Sequence, residues 1–182
     1  MKLAIVTGAN SEIGVTICET LLDLNYNVIA CIHKGNRRIK KIAHQNLEIR
    51  KLNLRKEKEI INFGFKADLI VNVAAYYFDD YYQNISKANF MHTLEVNLVA
   101  PFLMTKHLLK KNGTVINISS TDGIDTYNEL NITYSASKAG LNNLTQSLAY
   151  AKKDSKIYAL ALGWVNTKMI QEINQEYLKS EM

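Results

Sequence analysis

Six short apolar runs, each closed by turn residues and separated by stretches of helical spacing, constrain this chain more than any other feature. They are KLAIVT (Lys2 to Thr7), NVIACI (Asn27 to Ile32), LEIRKL (Leu47 to Leu52), DLIVNV (Asp68 to Val73), TVINIS (Thr114 to Ser119) and KIYALA (Lys156 to Ala161). Their length and β-branched content predict strands. Helical spacing lies between them. Ile13, Ile17, Leu21 and Leu22 share one face, and longer segments run from about Ser86 to Lys111 and from about Tyr134 to Lys152. Strands alternating with helices require right-handed crossovers and a parallel sheet covered on both faces. The expected fold is α/β, a Rossmann-like doubly wound parallel sheet of six strands. Its ligand belongs at the carboxyl ends of the strands, where strand order reverses.

Length limits the organisation. A chain of 182 residues, 47% hydrophobic and 21% charged, has material for one core, so a single domain spanning residues 1–182 is expected. No apolar run approaches the roughly 20 residues of a membrane span, and the start lacks a basic segment followed by an apolar stretch and a cleavage site. These features predict a soluble, cytoplasmic protein. Cys18 and Cys31 have no neighbouring Cys or His at metal-ligand spacing, so both read as small core side chains and no metal site is expected.

The net charge of +5 raises the question of nucleic acid. Basic residues gather in KGNRRIKK, Lys34 to Lys41, and in RKLNLRKEK, Arg50 to Lys58, without the interleaved aromatics that stack on bases. Neither a nucleic-acid nor a membrane partner is expected. The clusters read either as a solvated face or as a pocket for a phosphate.

TGANSEIG, Thr7 to Gly14, follows the first strand and opens the first helix. Free backbone N–H groups and the positive end of the helix dipole there attract a pyrophosphate. Gly8 permits the tight turn and Gly14 a close approach of helix to strand. Glu12 reads two ways: a first-turn carboxylate that complements the dipole, or a negative charge set close to a bound phosphate. Its side chain can point to water, so it is expected to be tolerated.

Further on, Tyr134 and Lys138 stand one helical turn apart in ITYSASKAGLNNLTQSLA, Ile132 to Ala149. Side chains at i and i+4 share a face, so an ammonium lies near a phenol and is expected to lower its pKa. GTVINISSTDG, Gly113 to Gly123, ends a predicted strand with Ser119 and Ser120, whose hydroxyls can reach a substrate carbonyl beside that phenol. His33, His44, His92 and His107 form no local cluster and read as surface or capping residues.

These motifs together resemble the short-chain dehydrogenase/reductase family in its classical form. TGANSEIG resembles the TGxxxGIG cofactor turn, with Glu12 replacing the middle glycine. LIVNVAA, Leu69 to Ala75, resembles VNNAG with Val73 and Ala75 substituted, LEVNLVAPFLMT resembles the segment carrying the active-site asparagine, INISSTDG resembles the serine-bearing strand end, and YSASK matches YxxxK. LALGWVNTKM resembles PGxxxT with Leu162 in place of proline. The matches run in family order from residue 3 to about residue 169.

The resemblance implies a catalytic set of Asn97, Ser120, Tyr134 and Lys138. Tyr134 passes the proton, Lys138 favours the ionised phenol and holds the nicotinamide ribose, Ser120 positions the substrate oxygen, and Asn97 anchors a relay water. Asn97 reads equally as a buried helix asparagine bonded to backbone. The implied cofactor contacts are Gly8, Asn10, Ser11, Ile13, Gly14, Lys34, Asn72, Ala74, Tyr134, Lys138, Gly163, Val165 and Thr167.

After the second strand, ACIHKGNRR offers His33, Lys34, Arg37 and Arg38 with no acid before Leu47. A basic group there accommodates the 2′-phosphate of NADP, so NADP(H) is favoured over NAD. Asn53 stands where the family usually has an aspartate near the adenine. AAYYFDDYYQN, Ala74 to Asn84, places five aromatics after the fourth strand, as a wall for an apolar or ring-shaped substrate, a partner interface or a packed loop.

The expected activity is NADPH-dependent reduction of a small or carrier-bound carbonyl compound. The alternative is a nucleotide-binding regulatory or scaffold protein with weak turnover, on account of Glu12, Val73, Ala75 and Leu162. Family members usually continue through a further helix and a seventh strand, expected to be missing here. Asn166 to Lys179 suit an amphipathic helix, the strand from Lys156 becomes an edge, and a homo-oligomer is possible.

Overall fold

The computed structural model describes residues 1–125 and 129–165. Each of the six apolar runs forms a strand: β1 (Leu3–Thr7), β2 (Asn27–Ile32), β3 (Leu47–Lys51), β4 (Ala67–Asn72), β5 (Leu109–Ser120) and β6 (Lys156–Leu162). They pair in parallel, in the order β3-β2-β1-β4-β5-β6. This is the doubly wound order, and the reversal falls between β1 and β4.

Side-chain alternation divides the core. Ile5, Ile29, Ile70 and Val115 point to one face, where they meet Phe63, Leu103, Met104 and Leu108. Ala4, Val6, Val28 and Val71 point to the other, where they meet Cys18, Leu21 and Leu22. Both faces are apolar because both are covered by helices, and this is why the strands read as continuous apolar runs.

The covering helices are α1 (Glu12–Asp23), α2 (Glu57–Ile61), α3 (Lys87–Leu94), α4 (Ala100–Leu108) and α5 (Ile132–Ala151). Ser11 caps α1, accepting from Gly14 N–H at 3.0 Å, and Ser86 caps α3, accepting from Asn89 N–H at 3.1 Å. With only five residues, α2 makes a short crossover between β3 and β4.

The segment expected as one helix from Ser86 to Lys111 differs from that reading. It is α3 and α4 joined by a π-helical turn, Glu95–Val99, and its last three residues belong to β5. Helical spacing cannot register one wide turn, and Leu109 suits a buried strand start as well as a helix end. Asn166 to Lys179 lie outside the described residues. No helix among the described residues is long and apolar enough to cross a membrane.

Candidate active site

A cavity of about 540 Å³ opens at the carboxyl ends of the strands, over the reversal between β1 and β4. Its wall takes Gly8 after β1, Lys34 and Arg38 after β2, Ala74 after β4, Ser120 at the end of β5, Gly163 after β6, and Tyr134 with Lys138 from α5. Residues spread over more than a hundred positions of sequence therefore face one space.

The floor at one end is the β1–α1 turn. Gly8 has φ +62°, and a Cβ there would stand 2.7 Å from Ala74 Cα. A Cβ on Gly14 would stand 2.3 Å from Gly8 O. Both glycines hold the turn close against β4 and the start of α1, which keeps the backbone low enough for a phosphate to approach. Ser11 Oγ donates to Gly8 O at 2.8 Å while capping the helix. Asn10 faces sideways: its Oδ1 accepts from Arg38 N–H at 3.0 Å and Ile39 N–H at 3.2 Å, fastening the loop after β2 to the turn. Glu12 accepts from the Arg38 guanidinium at 3.1 Å.

The other end carries the reactive groups. Lys138 is 2% exposed, and its ammonium donates to Ile118 O at 2.7 Å. It lies 5.4 Å from the centre of the Tyr134 ring. Tyr134 is hydrogen-bonded to the Ser120 hydroxyl, and Tyr77 meets its ring edge-on with centroids 5.1 Å apart. Asp122 accepts from Asn131 Nδ2 at 3.2 Å and also bonds the Ser120 side chain.

The expected lowering of the phenol pKa does not appear. Burial, then the Asp122 carboxylate, push Tyr134 up to about 12, against the bond from Ser120. Burial brings the Lys138 amine down to about 8, opposed by Asp122. Desolvation dominates both groups because α5 holds them against the sheet. The phenol is therefore protonated at neutral pH.

Several expected contacts lie behind the wall. Asn72 is buried, and its Nδ2 donates to Asn117 Oδ1 at 2.8 Å; Asn117 in turn donates to Thr145. It ties β4 to β5 and α5 and does not face the cavity, contrary to its expected place beside the cofactor. Asn97, in the π-helical turn, binds the backbone of Tyr76 and donates to Ser137 Oγ at 2.9 Å. This is the backbone-bonded arrangement that the sequence left open. Gly14 stands beneath Gly8. Ser11, Ile13 and Val165 line the cavity, and Thr167 lies outside the described residues.

Other wall residues were not legible as such. His92 stacks on Tyr76 at 3.8 Å and lines the cavity, where a surface or capping position was expected, whereas His33 is exposed as expected and also borders the cavity. Arg55 also lines it and pairs with Glu95 at 2.7 Å. Asp122 is not part of the wall but bonds the Ser120 side chain, and its position two residues past Ser120 was the available signal for that contact. No group of three or more His, Cys, Asp or Glu that could hold a metal occurs among the described residues.

The cavity has the size, the glycine-backed phosphate turn and the facing hydroxyls that a nicotinamide dinucleotide requires. Fold and site together define a nucleotide-dependent oxidoreductase. Residues 2–178 match the short chain dehydrogenase family, and the chain belongs to it. It is thus an NAD(P)-dependent oxidoreductase acting between CH–OH and C=O.

It is similar to 3-oxoacyl-(acyl-carrier-protein) reductase of Aquifex aeolicus strain VF5, at 32% identity over 97% of this chain and 80% of the relative. It is also similar to acetoacetyl-CoA reductase of Acinetobacter sp. strain RA3849, at 28% identity over 98% and 80% of the two chains. Among solved structures, 4-hydroxyisoleucine dehydrogenase complexed with NADH superposes with TM-score 0.83 at 24% identity, over 99% of this chain and 81% of that one. An alcohol dehydrogenase from Thermococcus sibiricus complexed with 5-hydroxy-NADP superposes with TM-score 0.81 at 21% identity, over 92% and 78%.

Proposed function

We propose that the chain, acting as one domain, reduces a 3-oxoacyl-type carbonyl with NADPH, using Tyr134 as the proton donor. The observation that carries this reading is the convergence of Tyr134, bonded to Ser120, with Lys138 and Gly8 on one cavity wall. A neutral phenol suits the reductive direction, because the oxygen formed from a carbonyl needs a proton.

The bound nicotinamide cofactor supplies the hydride. Gly8, Ser11, Ile13 and Ala74 shape the space for its phosphates and ribose. Lys34 and Arg38 offer cations to an adenosine phosphate. Ser120 donates to the substrate carbonyl and polarises it, and Tyr134 hands over its proton. Lys138, held by Ile118 O, stabilises the phenolate left behind and orients the nicotinamide ribose. Asn97 acts on the site through the Tyr76 backbone. The basic end favours NADPH, and the two reductases among the relatives are named for 3-oxoacyl and acetoacetyl substrates, which supports the carbonyl class.

The test is reduction of an acetoacetyl thioester with NADPH and with NADH, alongside calorimetric binding of each. Tyr134→Phe is expected to lower kcat by about 10²–10⁴ while NADPH still binds. Lys138→Ala is expected to weaken both binding and turnover. Turnover by Tyr134→Phe equal to the parent protein refutes the assignment.

A further inference from the structure

At the basic end of the cavity, Arg38 is held twice by the phosphate turn. Its backbone N–H and that of Ile39 donate to Asn10 Oδ1, and its guanidinium donates to Glu12 Oε1 at 3.1 Å. Lys34 and His33 line the same end, and Arg55 lies farther along, where Glu95 pairs with it. Glu12 is the only carboxylate among the described residues of the cavity wall. The sequence raised the question of what an acid does in this turn, and the proposed reaction makes no use of it.

We propose that Glu12 is a specificity-determining residue that restrains the preference for the 2′-phosphorylated cofactor by engaging Arg38 and by opposing added negative charge. The inference rests on the reading of Lys34 and Arg38 as the adenosine-phosphate end.

One N–H···O contact occupies one of the guanidinium's five donors, so Arg38 can still meet a phosphate. The side chains of Arg38 and Glu12 are 37% and 39% exposed, and a pair this open is weak and exchangeable. A phosphate arriving at Arg38 must share it with a carboxylate a few ångströms away. That repulsion acts on both cofactors through the pyrophosphate, but far more on the one carrying the extra dianion. The added phosphate gains from Arg38 and Lys34 and loses to Glu12. Asn10 keeps Arg38 in place when Glu12 is neutralised, so the cation survives the change.

The test titrates NADPH and NADH, with 2′,5′-ADP and ADP as fragments, into the full chain and into Glu12→Gln, Glu12→Gly and Glu48→Gln. Gln keeps an acceptor for Arg38, and Gly serves as the second variant should Gln disturb the turn. Glu48 pairs with Arg50 on β3, outside the cavity wall, and controls for net charge. Glu12→Gln is expected to tighten NADPH about tenfold at low salt and NADH by less than about twofold, with the difference shrinking as salt is raised. 2′,5′-ADP should follow NADPH. An unchanged ratio in both Glu12 variants, or the same shift in Glu48→Gln, overturns the proposal. The ratio is read whichever cofactor the parent protein prefers. An NADH-preferring parent whose ratio still moves refutes the NADPH reading and leaves this one standing, whereas no binding by any variant refutes both.

Discussion

The side-chain amide of Asn97 satisfies both backbone polar groups of Tyr76, accepting from its N–H at 2.7 Å and donating to its carbonyl at 2.9 Å. One buried side chain thus fixes the path of the chain after β4, next to the cavity wall. Asn97→Asp replaces the donor by a second acceptor, so the Tyr76 carbonyl and Ser137 Oγ then face a carboxylate oxygen. Urea unfolding should show a loss of about 2–4 kcal/mol, with turnover falling as Tyr76 moves.

Gly14 gives the second prediction. A Cβ at this position meets backbone that has nowhere to go, namely Gly8 O at 2.3 Å and Ala9 Cα at 2.8 Å. Gly14→Ala should cost about 2 kcal/mol or more and abolish measurable NADPH binding, read by thermal unfolding and calorimetry. Gly35, with φ +64° and no atom within 4 Å of where a Cβ would stand, is a milder control. There Ala meets backbone strain alone and should leave binding intact.

Lys138 makes stability depend on pH. Its amine is brought down from 10.5 to about 8 in the folded chain, so between these values the unfolded chain binds more protons. Stability contributed by this group therefore rises with pH through that window. From pH 8 to 9.5 the parent protein should gain about 1–2 kcal/mol relative to Lys138→Met, measured by urea unfolding of both at each pH. Tyr134 acts in the opposite sense at higher pH. Its folded value of about 12 exceeds the ordinary 10, so its contribution falls as pH rises above 10.

The two thiols should be inert in the native protein. Cys18 and Cys31 are buried, and burial pushes Cys18 up to about 12 and Cys31 higher still. A thiol-specific reagent at pH 7.5 should label neither in the folded chain and both in urea, as followed by mass spectrometry.

Much of the molecule was legible because its signals are periodic or local. Strand runs such as NVIACI keep their bounds in the fold, since a strand buried on both faces must be apolar throughout. TGANSEIG and YSASK were legible because a turn and a helical i, i+4 pair are set by neighbouring residues. The break at Glu95–Val99 was not, because a π-helical turn has no distinctive composition. Nor were the depths of Asn72 and Asn97: residue type tells that an amide needs partners but not whether they lie in the cavity or behind it. The raised Tyr134 pKa was missed for a related reason. The spacing to Lys138 shows a cation nearby, while the desolvation that outweighs it comes from packing of the whole helix on the sheet.

The reversal of strand order between β1 and β4 has a consequence for how such a chain can diversify. The loops after β1 and β2 bend to one side and carry the groups at the phosphate end, while those after β4 and β5 bend to the other and carry Tyr76 and Ser120. The two sets touch where Gly8 packs against Ala74, and beyond that seam they line opposite ends of the cavity. Cofactor choice and substrate choice are consequently written in separate stretches of sequence, and selection can revise one without renegotiating the other.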